Sequence, residues 1–537
     1  MAHCNEPRLD EEEVHDQQCD QPPIHAEEQP NHQNLEQLAH QAVEQLMHQE
    51  MEQPVRGYRG GPYDLSLLTR YEGHVARRLW YGQERGVKKE LKVASHGKKL
   101  EGWVPPQLPP LIEGWLEGSG LSALQMTSMK MVDANLLSAF VERWHPETSS
   151  FHMPFGEMTI TLYDVACLLH IPIKGDFYDQ PPSVTEEGAA ALAEELLGVT
   201  YDEARAETAR NRGGYYRQEW LYRLFDMHHQ TGMLDCAARA YMLLLVGCTI
   251  FTDKSFTLVE AKYLPLFRNL SNCGKYCWGA AALVTLYEHL GDASMFTCKQ
   301  LGGYVTLLQC WIHEYFPSLG NRAESRICCD KPEKGAARAM RWKYKQGTLK
   351  VDQIRRLIDD LTPASVIWRP FESHRQIIPF DDICLYNGCL RWCNTLVLYL
   401  PQRCLRQFGY MQYIPPPPPD PRTFDVDVEW IDYHSSVHRV IEGALPVTYT
   451  FEVTETYMEW YYNVSHPRLI CSGEEPHRPV PLPVYSVPND ARPSDPRLAL
   501  IASELQGYLD EIGATPEKPM HRHLYHALNL ARGGPLY

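Results

Sequence analysis

Arg143–Gly175 reads RWHPETSSFHMPFGEMTITLYDVACLLHIPIKG. Phe151–Phe155 and Glu157–Ile160 read as two short strands. Gly156 lies between them, where a tight turn calls for a residue that tolerates positive φ. Thr161 then opens a helix as its N-cap. Asp164, three residues on, suits the positive end of that helix, as in a capping box. Leu162, Val165, Ala166 and Leu169 share one helical face. Pro172 closes the helix, because the residue before a proline is pushed out of the α region. A helix, a hairpin and a helix result, with Trp144 at the first junction. No nucleophile stands beside a base in this stretch.

Outward from the hairpin the chain reads as mostly helical. Helices are predicted over 130–144, 162–170, 185–197, 216–230, 236–251, 257–267, 275–290, 302–316 and 351–361. Residues 243–250 are apolar on every face, which marks a buried helix. Leu396–Leu400 is a further strand, and 450–463 an aromatic-rich closing helix. No βαβ alternation and no solenoid-period repeat is visible.

Charge divides the chain. Residues 1–55 carry thirteen acids and one base, Arg8, a net −12, so the total of −17 leaves −5 for everything else. That remainder has no basic stripe, so direct nucleic-acid binding is not indicated. The acidic N-terminus has no apolar run of the kind a secretory signal needs, and no run of about 18 apolar residues reads as a membrane span. The sixteen cysteines are therefore expected as reduced thiols.

The 143–175 block resembles the signature of the plant mobile domain, the aminotransferase-like domain shared by MAIN-like and protein phosphatase 7 long-form-homolog-like proteins. Four more segments match it in order: NCGKYCWGAAALVTLYEHL (272–290), LGGYVTLLQCWIHEYF (301–316), IWRPF (367–371) and LPQRCLRQFGYMQYIPPPPP (400–419). The resemblance implies a non-enzymatic plant nuclear protein. It implies a role through protein partners in transposon silencing, genome stability and meristem maintenance. A protein phosphatase 7-like enzyme is among the implied partners, and chromatin association is indirect. The residues carrying the resemblance are Arg143, Trp144, His145, Pro146, Phe151, Gly156, Glu157, Thr161, Asp164, Trp278, Trp311, Trp368, Arg369, Arg406, Gln407, Phe408 and Gly409, read as packing elements or partner surface.

The expected fold class is mainly α: one large helical domain with a small hairpin and a few short strands. Residues 1–55 form a disordered acidic tail, 56–120 a linker with short elements, 121–463 the plant mobile domain, 464–497 a Pro-rich linker, and 498–537 a short amphipathic helix and tail.

Several constellations carry reactive residue types. Gly175-Asp176-Phe177-Tyr178-Asp179 resembles half of a phosphatase metal motif, but the further Asp, Asn and His ligands that two metals require are missing. His313-Glu314-Tyr315-Phe316 lacks the second His of a zinc protease helix. Cys273/Cys277 and Cys389/Cys393 have a spacing that zinc tolerates, with Cys328-Cys329 between them, yet their apolar context reads as core. Lys275 lacks the surroundings of a pyridoxal phosphate lysine. Asp425, Asp427 and Glu429 alternate and would share one face of a strand. No catalytic residue, cofactor or metal site is expected. The competing readings are a hydrolase or transferase using a pocket of the helical domain, and a transposon-encoded accessory protein.

Overall fold

The structure is a computed structural model. It describes residues 57–93, 95–179, 183–319, 335–343, 347–423, 425–435, 444–447 and 451–471, with positions 506 and 509. The acidic tail, the Cys328-Cys329 pair and most of the C-terminal amphipathic helix lie outside the described residues.

The helices are α1 (Val75–Trp80), α2 (Gly97–Trp103), α3 (Pro110–Ser119), α4 (Ala134–Val141), α5 (Leu162–Leu169), α6 (Glu186–Leu197), α7 (Tyr201–Asn211), α8 (Gln218–Thr231), α9 (Leu234–Gly247), α10 (Trp278–Ser294), α11 (Val305–Tyr315), α12 (Val351–Asp359), α13 (Val426–Ser435) and α14 (Tyr457–Val464). The described fold is mainly α, and its sheets have two or three strands. Local chemistry sets many helix starts. Asp133 accepts hydrogen bonds from Asn135 N and Leu136 N at 3.1 Å, and Thr185 and Thr200 accept from Gly188 N and Glu203 N, each satisfying amides the helix leaves free. Thr161 and Asp164 form the expected capping box, with Thr161 N donating to Asp164 Oδ2 at 2.6 Å and Asp164 N to Thr161 Oγ1 at 3.1 Å. That helix ends at Leu169, three residues before Pro172, and His170 caps it in the left-handed conformation at φ 53°.

The hairpin has three strands rather than two. β2 (Trp144–His145), β3 (Ser150–Met153) and β4 (Gly156–Met158) form an antiparallel sheet, with Trp144 opposite Phe151 and Phe151 opposite Met158. Gly156 begins β4 at φ 121°. A Cβ there would meet Arg406 Nη2 at 2.3 Å and Tyr457 Oη at 2.8 Å, so glycine answers to packing as well as to the turn. The other pairs are β1 (Lys92–Val93) with β7 (Gln300–Leu301), β5 (Tyr215–Arg217) with β6 (Leu258–Glu260), and β8 (Gly388–Trp392) with β9 (Thr395–Tyr399).

Two sequence expectations are corrected. The helix expected over 257–267 is β6 followed by a 3₁₀ turn at Ala261–Phe267, because Leu258–Glu260 pairs with Tyr215–Arg217. Asp427 and Glu429 lie in the first turn of α13, not on a strand. In addition, the 56–120 segment carries three helices, and Leu91, Leu100, Ile112 and Leu116 from it join the main core. A second, smaller core packs Leu67, Leu68, Tyr71, Val75 and Leu79 against Val464 and Leu469, so residues just beyond α14 are held by the N-terminal segment.

Candidate functional site

All three strands of the hairpin are buried, although many of their side chains are polar. Charge pairing makes this affordable, since a buried charge without a partner costs several kcal/mol. Arg403 Nε and Nη2 donate to Glu157 Oε2 and Oε1, both at 2.7 Å, and Ser150 Oγ donates to Oε2 at 2.7 Å. Burial alone would raise the Glu157 pKa. The Arg403 charge and these bonds outweigh it and hold the carboxyl below its ordinary value.

Arg143, at the start of the block, is tied to Asp359 at the end of α12. Its Nη1 also donates to the carbonyls of His152 at 3.2 Å and Pro467 at 3.0 Å. Asp359 in turn accepts from Leu469 N at 3.1 Å and Ile470 N at 3.0 Å. A third buried cation, Arg355, bridges Glu142 and Glu84 through four hydrogen bonds of 2.6–3.0 Å. Asp164 accepts from Tyr315 Oη at 2.8 Å, and burial pushes its carboxyl up to about 7.

Arg406 follows a different plan. It lies 4.3 Å over the Trp368 ring, with Phe155 and Tyr457 also within cation–π range. Its Nε and Nη2 have no hydrogen-bond partner, and burial lowers its pKa.

Four buried histidines gather beside the hairpin. His145 Nε2 lies 2.5 Å from His466 Nε2. His74 stacks on His145 at 4.2 Å between ring centroids. It donates from Nε2 to the Trp144 carbonyl at 2.9 Å and accepts at Nδ1 from Ala76 N at 3.1 Å. His152 bonds to Ser465 Oγ through Nδ1 at 2.7 Å and to Thr148 Oγ1 through Nε2 at 3.1 Å. Burial lowers the pKa of all four, to about 3 for His74 and about 4 for His152. Ligand atoms of His74, His145 and His466 all lie within 4.8 Å of one another.

The other residues singled out in the sequence sit where packing puts them. Trp144, Trp278, Trp311 and Trp368 are among the largest fully buried side chains. Phe151 stacks on Trp311 at 5.2 Å, and Pro146 packs against Gly291. Gln407 closes a pair of 2.8 Å bonds with the backbone N and O of Thr159. Gly409 takes φ 88° beside Arg369, which pairs with Glu372 at 2.9 Å. Phe408 and Arg369 border a shallow cleft between α5, α11 and the 369–380 segment, with room for about one water molecule.

The weighed reactive residues are engaged elsewhere. Asp176 faces Lys275 at 3.6 Å and Asp179 faces Arg391 at 2.9 Å. Glu314 pairs with Arg338 at 2.7 Å. Burial pushes the thiols of Cys273, Cys277 and Cys389 up to about 12 and that of Cys393 to about 11. Cys273 donates to the Leu266 and Asn269 carbonyls.

Sequence reasoning passed over His74, Asp359, Arg403 and His466. One signal was available: His-Pro occurs at 145–146 and again at 466–467, each time at an end of the network.

A family model described as plant mobile domain matches residues 120–462. The chain is 36% identical over 367 residues to the Arabidopsis thaliana protein MAIN-LIKE 1, covering 66% of this chain and 68% of that one. It is 29% identical over 435 residues to MAINTENANCE OF MERISTEMS of the same plant, covering 75% and 84%. Against the Arabidopsis serine/threonine-protein phosphatase 7 long form homolog it is 28% identical, covering 78% of this chain and 33% of that protein. No solved structure matches the chain.

Proposed function

Because the chain belongs to the plant mobile domain family, we propose that it is a non-enzymatic plant nuclear protein acting through protein partners in transposon silencing, genome stability and meristem maintenance. The observation that carries this reading is the internal pairing of the family block. Its charged groups, Arg143 and Glu157 above all, are bound to Asp359 and Arg403 inside the fold. Residues so engaged hold a shape and are not presented to a substrate. The printed name of one relative, MAINTENANCE OF MERISTEMS, supports the developmental part. A protein phosphatase 7-like enzyme is among the partners proposed from the family resemblance. No described helix is long and apolar enough to cross a membrane.

The test is complementation of a loss-of-function plant with variant proteins, with protein level, nuclear location and co-purifying partners measured. Trp144→Ala should lower abundance and abolish function together. Asp176→Asn, Lys275→Met and His313→Gln should complement. An abundant, partner-bound variant at one of those three positions that fails to complement would favour an enzyme, since loss of a catalytic group costs about 10²–10⁴-fold in rate without unfolding the protein.

A further inference from the structure

His145 and His466 pose a problem of protons. Their Nε2 atoms face each other at 2.5 Å. Two neutral imidazoles meeting in this way share one proton. One ring then keeps a bare Nδ1 lone pair and the other an Nδ1–H. Both Nδ1 atoms are buried and neither has a hydrogen-bond partner. Glu147 Oε2, 3.9 Å from His145 Nδ1, is also buried and unpartnered, and so is the Tyr71 hydroxyl. Three of these unmatched atoms, the two Nδ1 and Glu147 Oε2, flank the histidine pair and call for a missing species.

We propose that His145 and His466, with His74 as third ligand, form a binding site for a divalent first-row transition ion of the zinc type. A cation between the two Nε2 lone pairs resolves the proton problem, because both rings then carry their proton on Nδ1. His145 Nδ1–H is turned toward Glu147, the carboxylate–histidine–metal arrangement that orients a ligand ring and strengthens it as a base. The Glu147 charge also offsets part of the buried cation. Zinc–imidazole bonds of about 2.0–2.1 Å place two ligand nitrogens roughly 3.3 Å apart in a tetrahedron, so the pair parts by somewhat under 1 Å on binding. His74 joins through Nδ1, whose lone pair exchanges the Ala76 N–H for the metal, while its Nε2–H stays on the Trp144 carbonyl.

All three histidines are at most 1% exposed. A site closed to this degree is structural, since catalytic zinc keeps a position open to water and substrate. It joins three remote parts of the chain: the segment before α1, strand β2, and the residues after α14. The metal would clamp the N- and C-terminal segments onto the hairpin.

The experiment uses the full chain purified without a histidine tag. Zinc content is measured, chelator-treated protein is titrated with zinc, and the zinc X-ray absorption spectrum is recorded. About one zinc per chain, an imidazole-containing nitrogen/oxygen shell and a raised Tm on reloading are expected. Glu147→Gln should weaken zinc binding about 10–100-fold while the protein stays folded, and His145→Asn should remove it. The His170/His374 pair, in which His374 is buried and His170 partly exposed, has Nε2 atoms 2.9 Å apart and is the control. His170→Gln/His374→Gln must keep its zinc. Absence of stoichiometric zinc binding, sulfur in the metal shell, loss of zinc in the control, or wild-type affinity in Glu147→Gln would each overturn the proposal. Where His145→Asn does not fold, the wild-type spectrum and Glu147→Gln decide.

Discussion

The C-terminal half of α9 and the hairpin are buried to the same degree and built from different materials. Met242, Leu243, Leu244, Leu245 and Val246 are at most 1% exposed, and so are Arg143, His145, Ser150, His152 and Glu157. The helix is stabilised by removing apolar area from water, at about 25 cal/mol per Å² without regard to direction. The hairpin is stabilised only if each polar atom meets its partner at the right distance. Many sequences could replace the first at similar volume. The second tolerates few single changes, because each leaves a buried charge alone.

The sharpest way to break this comparison is Glu157→Leu. It strands the Arg403 charge and should cost about 3–5 kcal/mol, read from denaturant unfolding. Adding Arg403→Met should recover most of that loss, and failure to recover would mean the pair contributes more than mutual neutralisation. On the apolar side, Leu244→Ala should cost about 2–5 kcal/mol through the cavity it leaves, and no second substitution of a charge should restore it.

Acid should separate the two regions next. Burial lowers the His152 pKa to about 4 in the folded chain against about 6.5 unfolded. Between those values the unfolded chain binds more protons. Stability is therefore full above about pH 6.5 and falls as pH drops, by up to about 1.4 kcal/mol per pH unit for this histidine. His152→Gln should flatten the stability–pH curve over that window, whereas Leu244→Ala should shift the curve without changing its slope.

Smaller still, Thr161→Ala removes the cap that joins hairpin to α5 and should cost about 1 kcal/mol. At the lower limit, Arg422→Ala breaks an exposed pair with Asp420 and should leave the unfolding midpoint where it was.

Much of the hairpin was legible because its cues are short in range. Gly156, the Thr161–Asp164 box and the apolar face of α5 act over one to four residues, and α5 begins at Leu162 as read. Strand β2 was missed because two residues, Trp144 and His145, show no periodicity by themselves. The 257–267 stretch was read as helix because Leu258–Glu260 becomes a strand only by pairing with Tyr215–Arg217. In the candidate site, Trp144, Trp278, Trp311 and Trp368 were legible as large apolar side chains with a default place inside. Arg403, Asp359 and His466 were not, because a polar residue bound for the core looks in sequence like one bound for the surface.

The sequence by itself determined the mainly helical class, the caps and the order of family segments, since these depend on neighbours within a turn or on motif order. The tertiary structure alone decided which polar side chains meet. His74 reaches the Trp144 carbonyl across 70 positions, Arg403 reaches Glu157 across 246, and His145 reaches His466 across 321. No local pattern encodes such distances. They follow from the packing of the apolar core, which brings remote segments together and leaves each buried charge dependent on what it finds there.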